Sequence, residues 1–179
     1  MSLKTRKVEQ QAPGFRRRRD RWTVGLVILA AVAMPSGAHG QETEPSSRPT
    51  LSLAGARAVA DAAVAEARRL NAPGAAIAVV DDGGHLIFLV RLDDTFPAAS
   101  RVAEGKARTA AVFRRPTKEL EDAIVGGRSA LLNVADAPLQ GGVPLIVDGH
   151  VVGAVGVSGA ASAAQDTELA IAGAAALRR

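Results

Sequence analysis

The chain has 179 residues, 22 of them basic, 18 acidic and none cysteine, which excludes disulfide staples and thiolate metal sites. Residues 1–40 hold eight of the basic and two of the acidic side chains, so the remainder carries 14 against 16, a formal charge of −2. The positive surplus belongs to the N-terminal segment, and nucleic-acid binding by the rest finds no support.

Lys4 to Arg21 is a basic region, and Trp22 to Met34 is an apolar run of thirteen residues. Pro35-Ser36 then breaks the helix, and Ala38-His39-Gly40 places small residues before Gln41. This is the order of an export signal, and the run is short of the roughly 20 residues that span a bilayer. Residues 1–40 are therefore expected to be a cleavable signal peptide, an uncleaved anchor being the alternative. The product would be exported, to the periplasm or outside the cell. Gln41 to Thr50 is polar and proline-bearing, a disordered tether. Residues 51–179 form one domain, whose core must be built from Ala, Val, Leu and Ile because only three Phe and no Trp or Tyr remain.

Leu53, Ala56, Ala60, Ala63, Val64, Ala67 and Leu70 recur at helical spacing, and Pro73-Gly74 ends that helix. Ala75 to Val80, the turn Asp81-Asp82-Gly83-Gly84, and His85 to Leu92 read as a β-hairpin. Ala98 to Phe113 is helical again, with Val102, Lys106, Thr109 and Phe113 on one stripe and Ala99, Ala103, Ala107 and Ala110 beside it. Pro116 interrupts it, Thr117 is placed to cap a further helix to about Val125, and Gly126-Gly127 closes that helix. Residues 128–142 give no regular pattern. Val143 to Val147 and His150 to Val157 make a second hairpin about Asp148-Gly149, and Ala164 to Leu177 a last helix. Hairpins imply an antiparallel sheet, and helices before, between and after them imply an α+β sandwich with helices on both faces.

Few residues here carry chemistry. His85 and His150 each follow a turn glycine, where a polar side chain suits a solvated hairpin end, and where a pair could also ligate a metal or a haem iron. Ser158 in Gly156-Val157-Ser158-Gly159-Ala160 lacks the second glycine and the later histidine of a nucleophile elbow. Glu119, Glu121 and Asp122 read as a solvated helix face. Gly153, Gly156 and Gly159 read as places of close backbone approach. Lys106, Arg108, Thr109, Arg114 and Arg115 are either a solvated rim or cations able to pair with the carboxylates of a ligand such as haem.

Gly74 to Asp81 with Gly83-Gly84, Lys106-Ala107-Arg108-Thr109-Ala110-Ala111, Arg115-Pro116-Thr117, Gly141-Gly142-Val143-Pro144, Asp148-Gly149, Val152 to Gly159 and Gln165-Asp166 together resemble the GlcG/HbpS family, also called the haem-degrading domain family. The resemblance covers residues 51–177. It implies a profilin-like sandwich that assembles into homo-oligomers. It also implies one of three roles: haem binding or slow haem degradation, partnership with a membrane sensor kinase, or action on a small hydroxy acid or aldehyde in glycolate or diol utilisation. The export signal favours haem. Carried over on the Lys106-to-Ala111 motif, Thr109 becomes the expected iron ligand; Lys106 and Arg114 are the expected partners of the haem propionates, and His85, standing where relatives commonly have other residues, is a further candidate for haem contact.

Overall fold

The computed structural model describes residues 48–177. The expected signal peptide, residues 1–40, and residues 41–47 of the expected tether lie outside the described residues, and Arg48 to Thr50 are exposed and irregular.

Helix α1 (Leu53–Arg69) starts where Ser52 caps it, its hydroxyl accepting from the Gly55 N–H at 3.1 Å. Ala56, Val59, Ala60, Ala63 and Ala67 are its buried face. Val59 takes the place in the core that the spacing gave to Leu53, which is half exposed. The helix stops before Pro73-Gly74 because Asn71 adopts a left-handed φ of 51°, a conformation asparagine tolerates. Strands β1 (Ala76–Asp81) and β2 (Leu86–Arg91) form the first hairpin, and β3 (Gly142–Val147) and β4 (His150–Ser158) the second. The sheet order is β2-β1-β4-β3, every neighbour antiparallel. Asp81 pairs with Gly153, so both hairpin turns lie at one end of the sheet.

Two unlike layers cover this sheet. Ala76, Ala78 and Val80 of β1 face α2 (Ala99–Phe113), whose Ala99, Ala103, Ala107, Ala110 and Ala111 are fully buried. Alanines on the helix and Gly156 on β4 bring the two backbones together: a Cβ on Gly156 would overlap the Ala103 carbonyl oxygen and the Ala107 nitrogen. On the opposite face, Ile77, Val79, Val155, Val157 and Leu145 meet α1 and α4 (Ala163–Ala175), including Val59 and Leu169. Bulky aliphatic burial, at about 1.5–3 kcal/mol per side chain, is concentrated in this second layer. The architecture is thus the α+β sandwich the sequence predicts, an antiparallel sheet of two hairpins with helices on both faces.

Two details depart from expectation. Pro116, not Thr117, is the N-cap of α3 (Thr117–Val125), and Thr117 is buried. Its Oγ1 accepts from the Gly142 N–H at 2.8 Å, satisfying a donor at the start of β3 that would otherwise cost about 1–3 kcal/mol unpaired. The unassigned stretch contains a short 3₁₀ turn, Ser129–Asn133, with no buried residue.

Candidate functional site

The α2 stripe faces inward. Lys106 and Asp166 form an ion pair at 2.8 Å with side chains only 4% and 8% exposed. The Lys106 ammonium also donates to the Val157 carbonyl at 2.9 Å, and Asp166 Oδ1 accepts from the Ala160 N–H at 3.0 Å. One side chain therefore joins α2 to β4 and α4. Thr109 is 1% exposed, and its Oγ1 accepts from the Ala137 N–H at 3.0 Å, fastening the connection after the 3₁₀ turn to α2. Neither position matches the expectation made for it: the ammonium is occupied inside the protein, and the hydroxyl is sealed behind a backbone contact.

Arg114 and His85 lie outside, at the turn end of the sheet. Arg114 closes α2 in a left-handed conformation, φ 54°. It makes no ion pair among the described residues. It is shared by two neighbouring hollows. One, of about 500 Å³, is lined by Arg48, Pro49, Asp82, Arg114, Gly149, His150 and Val151. The other, of about 460 Å³, lies between the α2–α3 junction and β3, with Arg115, Pro116 and Glu119 facing Val143, Pro144 and Ile146.

His85 sits on the β1–β2 turn with its side chain 83% exposed. Its Nδ1 lies 3.2 Å from both oxygens of Asp81. Asp81 Oδ1 also accepts the backbone N–H groups of Gly83 at 2.9 Å and His85 at 2.8 Å. Burial alone would raise the Asp81 carboxyl, but these donors outweigh it and hold the group below its ordinary value. The resulting stabilisation is present above about pH 4 and is lost as pH falls through the lowered folded value. Beside this turn, Arg108 Nε donates to the Gly84 carbonyl at 3.2 Å. A Cβ on Gly84 would come 3.4 Å from Val112, so the turn rests on the outer side of α2. Val112 is 51% exposed there, and Leu86, next to His85, 45%.

The turn end thus gathers an imidazole with a carboxylate behind it, two exposed aliphatic side chains and the Arg114 guanidinium, with His150 and Arg48 along the adjoining hollow. Sequence reasoning did not single out Asp81, Val112 or Arg48. The four-residue step from Asp81 to His85 across a glycine turn was the available signal for the first. Ser158 is buried opposite Ala76, at the far end of the sheet from both histidines. Lys118 pairs with Asp122 and Glu121 accepts from Gln140, so the α3 carboxylates hold their own surface. No group of three or more His, Asp or Glu among the described residues is arranged to hold a metal ion.

Residues 51–175 match the family model described as "Haem degrading protein HbpS-like". The chain is 48% identical over 101 residues to Protein GlcG of Escherichia coli K12, an alignment covering 54% of this chain and 73% of that one. Its fold is similar to that of a double mutant of Streptomyces reticuli HbpS, with a TM-score of 0.70, 34% identity, and coverage of 81% of this chain and 97% of that one. It is also similar to the PduOC protein solved as a haem complex, with a TM-score of 0.64, 30% identity, and coverage of 72% and 95%. The family model spans most of the chain, and the chain belongs to the GlcG/HbpS family.

Proposed function

We propose that this is an exported haem-binding protein that scavenges, buffers or senses haem at the turn end of its sheet. The observation that carries the reading is the set of groups found there: the outward imidazole of His85, Leu86 and Val112 exposed beside it, and Arg114, which makes no ion pair among the described residues. These suit haem chemically. An imidazole nitrogen ligates iron, aliphatic surface takes the porphyrin face, and a guanidinium pairs with propionates. Lys106 and Thr109 do not suit it, being committed to Asp166, Val157 and Ala137. The family match and the haem-bound relative support the ligand class. Bound haem would supply the iron; the chain supplies an exposed ligand and a cationic rim, which fits exchangeable rather than permanent binding.

Titrating haemin into the purified protein is expected to shift the Soret band and saturate at one haem per subunit. His85→Ala and Arg114→Ala should each raise Kd about tenfold or more, the equivalent of one lost contact of about 1.4 kcal/mol. Absence of a shift at micromolar haemin would remove the function.

Self-association is part of the proposal. Val125 at the end of α3, Leu132 on the 3₁₀ turn and Val134 just after it are 83%, 59% and 68% exposed, an apolar surface that a second copy would cover. Light scattering should give a mass of at least two subunits, and a monomer at 100 µM, about a hundredfold above a micromolar Kd, would count against it. A second reading rests on the hollow lined by Arg48, Arg114 and His150, which could take a small carboxylate such as a hydroxy acid. Calorimetry with glycolate tests it, and heat of binding abolished by Arg114→Ala would favour it.

A further inference from the structure

We propose that Asp81 is a positioning residue whose carboxylate fixes the ring tautomer of His85, so that Nε2 is presented outward as the ligating nitrogen. The inference rests on the haem-binding reading and names the residue that prepares its ligand.

A carboxylate has no proton to give, so the ring nitrogen 3.2 Å from both Asp81 oxygens must be the donor. In the neutral ring the remaining lone pair is then on Nε2, and that atom faces solvent with the rest of the side chain. Asp81 itself is not free to turn away, because its Oδ1 also holds the Gly83 and His85 N–H groups. Gly83 gives the ring its room: a Cβ there would stand 2.9 Å from the ring Cε1 and 3.0 Å from Nδ1. The nearby cation does not compete for the carboxylate. Arg108 is engaged by the Gly84 carbonyl, Glu104 and Asp136. A hydrogen-bonded carboxylate behind an imidazole both orients it and makes it a more basic ligand.

Asp81→Asn separates this role from a purely structural one. Asparagine keeps an oxygen for the two backbone N–H groups, but its amide donates where Oδ2 accepted. The ring proton loses the carboxylate charge and one of its two acceptors, so the tautomer that leaves the lone pair on Nε2 is no longer held in place. The turn should persist, seen as unchanged amide resonances for residues 83–86. Haemin Kd should rise about 10- to 100-fold, and the iron–histidine stretching band in resonance Raman of the reduced complex should weaken or shift. Gly83→Ala breaks the same contact from the other side, by pushing the ring off the carboxylate, and should give the same spectral loss. Wild-type affinity and an unchanged band in both variants would overturn the proposal. If His85→Ala also keeps the wild-type spectrum, the assignment of His85 as ligand fails as well. If His85→Ala alone loses the band, only the role of Asp81 falls.

Discussion

Asp166→Ala should destabilise the domain by about 3–5 kcal/mol, the penalty for leaving a buried charge without its partner. The mutation strands the Lys106 ammonium in a position only 4% exposed, with the Val157 carbonyl as its remaining acceptor. It also removes the acceptor of the Ala160 N–H, loosening the entry to α4. The loss is large against a total stability of about 5–15 kcal/mol, and should appear as a much lower urea midpoint. Replacing both partners by apolar residues, Lys106→Met with Asp166→Leu, should recover much of it, since a buried pair and a hydrophobic pair of similar volume are often close in stability. A single-mutant loss below about 1 kcal/mol would place the pair with exposed ones, contrary to its burial.

Gly156→Val should cost about 3 kcal/mol or more. The side chain would enter the plane where β4 and α2 touch, overlapping the Ala103 carbonyl and the Ala107 backbone. Unlike the end of a flexible side chain, helix backbone packed on buried alanines cannot step aside locally. Either α2 lifts from the sheet, exposing Ala78, Val80 and Ala154, or the strand bows away. Overpacking of this kind normally costs about 1–3 kcal/mol, and the contact with backbone puts this site at the upper end. A fall in Tm of about 10 °C follows for a domain of this size. An unchanged Tm would mean that α2 rides further from the sheet than the alanine layer requires.

Much of the fold was legible because the local signals agree. Asp-Gly turns sit between apolar runs, alanine recurs at helical spacing, and Gly126-Gly127 ends a helix, so strand and helix order followed directly. The spacing of Gly153, Gly156 and Gly159 also predicted close packing, and Gly156 provides it. The site was less legible. Lys106 meets Asp166 sixty residues away and Thr109 meets Ala137 across 28, so nothing local told a buried ammonium from an exposed one. The same holds for Arg48, Arg114 and His150, which share a hollow only because residues 48–49, the end of α2 and the second turn meet in space. Residues 128–142 stayed unread because a 3₁₀ turn with no buried face leaves no periodicity. The first hairpin was legible from its turn, and His85 on it is exposed, while the contact of Asp81 beneath it required the three-dimensional structure.

Paramagnetic broadening of backbone amide resonances by ferric haemin, recorded residue by residue at substoichiometric haemin, tests most directly whether the turn end is the site. The account predicts that residues 83–86 and 112–115 lose intensity first, while α1 and α4 keep theirs. Broadening centred on the α1–α4 layer, or none at the turn that carries His85, would contradict it.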